Sequence, residues 1–183
     1  MPGAHSEREL LAGEYIVLAL LRRGAMHGYE MARTARDEGI GDVCALEQSA
    51  LYTYLNNLEA RELVRWTEQR EGRRPPRKLY RLTAAGSAEA DRWLRAPVSR
   101  MREVRREFLV KVHLLQSVEA AEVEPLLDRQ LGVCRGYLDR TRAELEATSG
   151  FARLVALSKE SAAEATIRWI AAYADELAAG SRQ

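Results

Sequence analysis

Seven positive side chains, Arg65, Arg70, Arg73, Arg74, Arg77, Lys78 and Arg81, fall between positions 65 and 81, against two carboxylates, Glu68 and Glu71. A cluster this dense attracts phosphate, and it is hidden in a chain whose net charge is only +1. Other chemistry has less to work with. Cys44 and Cys134 are too far apart for a metal knuckle or a redox pair, and read as reduced, packed thiols. His5, His27 and His113 share no ligand spacing with one another or with a cysteine, so neither a metal site nor a cofactor is expected. There is no glycine-rich phosphate loop and no Ser-His-Asp or Cys-His context, so nothing asks for an enzyme.

The elements that must hold this cluster belong to an ordinary globular chain. Its 183 residues, 46% apolar and 30% charged, suffice for one large or two small domains and exclude disorder. With 12 Gly and 5 Pro, collagen-like and low-complexity readings fall away. The longest strongly apolar run, Tyr15 to Leu21, is far short of the roughly 20 residues a membrane helix needs. The amino-terminal residues carry acids where a signal peptide wants a basic start, so a cytoplasmic chain without a membrane partner is expected.

Along the chain, Ser6 to Glu9 fits a capping box that could open a helix, with Gly13 as an interruption. Glu14 to Arg22 reads as a buried helix stopped by Gly24. A second helix starts at His27-Gly28-Tyr29, with His27 as its cap, and runs to about Glu38 before Gly39 and Gly41. In the third, Leu51, Leu55 and Leu58 form one apolar stripe with Tyr54 at its edge. The opposite face collects Ser49, Tyr52, Thr53, Asn56 and, at its margin, Asn57. A solvated face usually carries Glu and Lys; hydroxyls and amides without charge are groups that can read base edges.

Leu63 to Gln69 and Leu79 to Thr83 alternate as two strands, with Val64 and Trp66 able to share a face with Tyr80 and Leu82. The Arg70 to Lys78 tip between them holds Gly72, Pro75 and Pro76, which forbid helix. Thr83 caps a fourth helix running to about Ala96. Three helices, a basic hairpin and a helix make the plan of a winged helix-turn-helix, in which the third helix enters the major groove and the wing lies on the backbone. The competing reading of the pattern is a small α+β domain with a solvated arginine-rich loop.

These residues also resemble the PadR family of transcriptional regulators. The run Val17 to Glu30, with Met26-His27-Gly28-Tyr29-Glu30 at its end, is similar to the family's opening, and Ala50-Leu51-Tyr52 with Leu55 and Leu58-Glu59 to its recognition helix. Arg65-Trp66, Gly72-Arg73-Arg74-Pro75, Lys78 to Thr83 and Gly86 match its wing and wing exit, so the resemblance spans roughly residues 10 to 95. Thr53 stands where the family often has Pro, and Glu62 where it usually has Gly before the wing strand. Tyr52 and Asn56 are the leading candidates for base-edge or phosphate contacts, with Ser49 and Thr53 supporting. Arg70, Arg73, Arg74, Arg77 and Lys78 should neutralise phosphates.

Pro97 closes the fourth helix and Val98-Ser99 is the expected joint, dividing the chain into a winged domain over 1–97 and a helical one over 98–183. Glu103 to Ser117 places Phe108, Val112 and Leu115 on one stripe, and two longer stripes follow over Glu122 to Ala147 and Phe151 to Ala178, parted by Ser149-Gly150. They suit either coiled-coil-like packing against a second copy or an intramolecular three-helix bundle. The resemblance implies a dimerisation region here and a small, often aromatic effector, for which Phe108, His113, Trp169 and Tyr173 could line an apolar cleft. The expectation is a mainly α protein with a small β-hairpin: a homodimeric regulator binding duplex DNA at a palindromic operator. Its recognition helix would cover about 49–61 and its wing 69–78; repression and release by effector rest on the resemblance alone. The alternative is a ligand-sensing helical adaptor that does not touch DNA.

Overall fold

Residues Ala12–Leu21 form helix α1, in which every side chain from Glu14 to Leu21 is buried. The computed structural model describes residues 9–44, 46, 48–70 and 76–180. The Ser6 to Glu9 box therefore lies outside the described residues, apart from Glu9 itself. The start of α1 is secured by Glu14, whose Oε2 accepts the Leu11 N–H at 2.8 Å. That is the carboxylate half of a capping box, moved five residues on. Gly13 does not interrupt the helix; it sits in the first turn, where a Cβ would lie 2.3 Å from Tyr54 Cε2.

Helix α4 (Gln48–Ala60) packs on α1 and on α2 (Gly28–Asp37), which also contacts the single turn α3 (Ile40–Val43). The Leu51, Leu55 and Leu58 stripe is wholly buried, and a fully buried leucine contributes about 1.5–3 kcal/mol. These three side chains fix the rotation of α4 and so decide which of its residues meet solvent. The chain leaves α4 through Glu62, which adopts a left-handed backbone at φ 57°.

Strands β2 (Val64–Gln69) and β3 (Arg77–Leu82) pair antiparallel as the expected hairpin, with Val64 opposite Leu82 and Trp66 opposite Tyr80. Two features differ from the expectation. Arg77 and Lys78 belong not to the tip but to β3, opposite Gln69 and Glu68. A further strand, β1 (Met26–His27), pairs with β3 and completes a three-stranded sheet in the order β1-β3-β2. Helix α5 (Ala84–Arg95) follows, and Thr83 caps it: its Oγ1 accepts the Gly86 N–H at 3.0 Å.

The chain divides into two compact units between Leu94 and Arg95. The second opens with α6 (Met101–Glu103), a π-helical turn (Val104–Phe108) and α7 (Leu109–Glu119), then a short 3-10 turn, α8 (Val123–Ala147) and α9 (Gly150–Gly180). Helices α8 and α9 pack on each other, and Leu131, Cys134 and Leu138 of α8 and the small Ala156 and Ala163 of α9 are buried. Arg142 bridges to Glu160 and Glu164, and Lys159 to Glu144, fixing the two helices antiparallel. Phe151, Leu154 and Leu157 remain outside this core, at 79%, 61% and 40% exposure.

The segment joining α5 to α6 is not a free linker. Gln130, completely buried, accepts the Val98 N–H at 2.8 Å and donates to the Val98 carbonyl at 3.0 Å. Lys111, also buried, donates to the Ala96 carbonyl at 2.9 Å and pairs with Glu107 at 2.8 Å. Buried backbone groups need such partners, so two polar side chains inside the helical unit hold this segment as part of it.

Candidate nucleic-acid interface

With its leucines committed inward, α4 turns Ser49, Tyr52, Thr53 and Asn56 to solvent, Tyr52 being 43% exposed. Asn57 departs from that group. Its Nδ2 donates to Glu14 Oε1 at 2.9 Å, so its amide is spent on joining α4 to α1. The reason is angular: Asn57 lies at the margin of the polar face, close enough to the buried carboxylate to be captured by it.

The wing supplies the charge. Arg70 is exposed and paired with Glu68 at 3.0 Å, which partly neutralises it. Arg73 and Arg74 lie outside the described residues. Arg77 and Lys78 are held differently. The Arg77 guanidinium sits 5.0 Å from the centroid of the Tyr29 ring, and Lys78 Nζ 4.1 Å from that of Trp66. Trp66 is itself oriented by donating its indole N–H to Glu59 at 2.7 Å. A cation on an aromatic face is attracted without being neutralised, so its N–H groups stay available to an anion.

His27 occupies the N-cap position of α2 but makes no side-chain cap; the His27 N–H is bound instead by Glu30 Oε2 at 2.8 Å. The imidazole Nδ1 lies 2.9 Å from the Lys78 carbonyl, to which it donates, so the ring is a strut between the start of α2 and β3. It also stacks on Tyr29, with centroids 5.6 Å apart. Gly28 permits close approach: a Cβ there would meet Tyr52 Cε1 at 2.9 Å. The start of α2, Tyr52 of α4, and Arg77, Lys78 and Tyr80 of β3 together enclose an open cleft of about 480 Å³. Burial, reinforced by Glu59, pushes the Tyr80 phenol pKa up at its floor.

Sequence reasoning left Tyr29 out of this site and gave His27 a different task. Both stand in the His27-Gly28-Tyr29-Glu30 run that carried the resemblance. Their roles depend on β1, and two residues are too few to show a strand period.

In the second unit, His113, Trp169 and Tyr173 share a cleft of about 300 Å³ with Leu109, Val112 and Gln116, and Gln116 donates to the Tyr173 hydroxyl at 2.6 Å. Phe108 does not line it. That ring is wholly buried, 6.3 Å from Trp169, and is a core side chain. Cys44 and Cys134 are both buried, and burial pushes the Cys134 thiol pKa up. Among the described residues no group of His, Cys, Asp and Glu is placed to hold a metal ion. No described helix is long and apolar enough to cross a membrane.

Helices packed under a polar-faced helix, followed by an antiparallel basic hairpin and a capped helix, define a winged helix-turn-helix, a class of DNA-binding domain. Residues 17–92, most of the winged unit, match the transcriptional regulator PadR-like family. The curated relatives that the chain matches are named as transcriptional regulators. Residues 104–178 match a second family, described as virulence activator alpha C-term.

The negative transcriptional regulator PadR of Bacillus subtilis is 26% identical over 118 residues, 64% of each chain, so this chain matches less than two thirds of that relative's length. The Mycobacterium tuberculosis protein named "Probable transcriptional regulator Rv1176c" is 29% identical over 188 aligned residues, 91% of this chain and 98% of that one. Among solved structures, Bacillus subtilis PadR in complex with operator DNA aligns at 21% identity and a TM-score of 0.48, covering 92% of this chain and 99% of that one. The same protein in complex with p-coumaric acid aligns at 22% identity and a TM-score of 0.42, covering 91% and 98%.

Proposed function

We propose that this protein is a PadR-family transcriptional regulator that binds duplex DNA sequence-specifically as a homodimer, with α4 in the major groove and the wing on the backbone. The observation that carries the reading is the pairing of an uncharged polar helix face with two wing cations held on aromatic rings beside it. Asn56, Thr53 and Ser49 face outward as base-edge readers, with Tyr52 as a base-edge or backbone contact; Arg70, Arg73, Arg74, Arg77 and Lys78 neutralise phosphates. Asn57 is assigned to packing.

Pairing of two copies follows from the short reach of one winged helix, since paired half-sites raise affinity and specificity and imply a palindromic operator. The exposed Phe151, Leu154 and Leu157 on α9 supply apolar surface for such pairing. Repression is the mode suggested by the name of the Bacillus relative. The α7–α9 cleft, with its aromatic walls and the Gln116–Tyr173 pair, suits a small aromatic or apolar effector. That cleft also favours the second reading, a ligand-sensing adaptor that leaves DNA alone.

The test is fluorescence anisotropy of the protein with DNA from upstream of its own gene and with a random duplex, across a salt series. Preferential binding to the upstream DNA that weakens steeply with salt is expected. Absence of binding to either duplex at low salt would transfer the function to the adaptor.

A further inference from the structure

The cleft between α2, α4 and β3 is more than a gap beside the recognition helix. Its lining includes Arg77 and Lys78, and among the described residues no carboxylate lines it. Neither cation makes an ion pair among the described residues; each rests on a ring. The acids beside it are engaged: Glu30 accepts the His27 N–H and the Tyr29 hydroxyl, Glu59 accepts the Trp66 indole N–H, and Glu68 pairs with Arg70. Tyr52 forms the opposite wall, its ring against Gly28 rather than along the free face of α4. A site with two unneutralised cations, a phenol and aromatic walls is matched to an oxyanion carried on a ring-sized, partly apolar body. One nucleotide of DNA backbone, a phosphodiester on deoxyribose, has that chemistry.

We propose that this cleft seats one backbone phosphodiester, bound by Arg77, Lys78 and the Tyr52 hydroxyl, with Tyr29 a positioning residue for Arg77. The proposal rests on the DNA-binding reading above and sharpens it. Tyr52 becomes a backbone contact, and discrimination among bases falls to Asn56, Thr53 and Ser49. His27, bonded to the Lys78 carbonyl, holds β3 at the distance from α2 that the cleft requires. The wing cations then differ in kind: Arg77 is aimed before DNA arrives, so little of its side-chain freedom is left to lose on binding.

The experiment measures affinity and salt slope on the random duplex and on the upstream DNA. Arg77→Gln should weaken both by a similar factor and lower the salt slope by about one phosphate's worth. Tyr29→Ala should weaken binding while Tyr29→Phe, which keeps the ring, should not. In the double variant, Tyr29→Ala should add little to Arg77→Gln, because it acts through Arg77. Tyr52→Phe, which removes only a hydroxyl, should lower affinity for both duplexes equally. Tyr29 is half-exposed, so its variants should fold, and thermal melting checks that they do. A Tyr29→Ala protein that binds like wild type, full additivity with Arg77→Gln, or a Tyr52→Phe loss confined to the upstream DNA would overturn the phosphate seat while leaving the DNA-binding reading intact. Wild-type protein that binds neither duplex would remove both.

Discussion

Replacing Gly86 by alanine tests whether the wing is locked to α5 through backbone contact. Glycine inside an exposed helix ordinarily costs up to about 1 kcal/mol relative to alanine, so on propensity alone Gly86→Ala would stabilise. The structure reverses that sign. A Cβ at Gly86 would lie 1.9 Å from the Leu63 carbonyl oxygen and 2.8 Å from its carbon, and both neighbours are backbone. Relief requires the two chains to part by more than an ångström. The Leu63 oxygen also accepts the Thr83 N–H at 3.1 Å, a bond that does not survive such a shift, whereas the Thr83 hydroxyl keeps its nearer acceptor, the Glu62 carbonyl at 2.7 Å. One lost hydrogen bond costs about 1 kcal/mol and overpacking about 1–3 more. Setting the helix gain of about 1 against these leaves a net loss of about 1–3 kcal/mol. In a Trp169→Phe background, Trp66 and Trp93 report the winged unit by fluorescence. The urea midpoint should then fall by roughly 0.5–2 M. Gly132 in α8 is the control: nothing lies within 4 Å of its Cβ position, so Gly132→Ala should stabilise by up to about 1 kcal/mol. A Gly86→Ala protein as stable as wild type would refute the locked wing root.

Glu62→Gly should stabilise by about 0.5–1 kcal/mol, since the left-handed backbone at φ 57° costs an L-residue more than the extra freedom of unfolded glycine takes back; urea titration decides, and a loss of stability would count against this account. Stability should fall in alkali. Burial raises the pKa of the Cys134 thiol from an ordinary 9.0, and raises those of Tyr15 and Tyr80 from 10.0, with Glu89 and Glu59 adding to the two phenols. The unfolded chain therefore releases these protons first, so stability holds below about pH 9 and declines as pH climbs toward about 11. Melting temperatures that stay level across that window would contradict the burial argument. Arg73→Ala combined with Arg74→Ala should weaken binding to all duplexes and flatten the salt dependence by up to about two phosphates; an unchanged slope would remove the tip from the interface.

Much of this protein is legible in one dimension because its signals are local. The leucine stripe of α4 needs only the helical period, and the Val64/Trp66 and Tyr80/Leu82 faces only the alternation of a strand. Thr83 before Ala84 is a cap by its own chemistry. Gly24 and Gly39 mark breaks, whereas Gly13 and Gly41 fall inside helices, and the charge cluster needs only counting. What the sequence could not decide depends on partners remote along the chain. Asn57 and Asn56 are equivalent amides until Glu14, 43 positions away, captures one of them. Two residues at 26 and 27 become a strand only because β3 offers them an edge, and that edge turns His27 from a helix cap into a strut. Phe108 and Trp169 look alike as helical aromatics, and the packing of the second unit buries one and leaves the other at a cleft. Periodicity determines which face of an element is apolar; only the closed tertiary structure decides which polar groups are consumed within the protein and which remain free to bind.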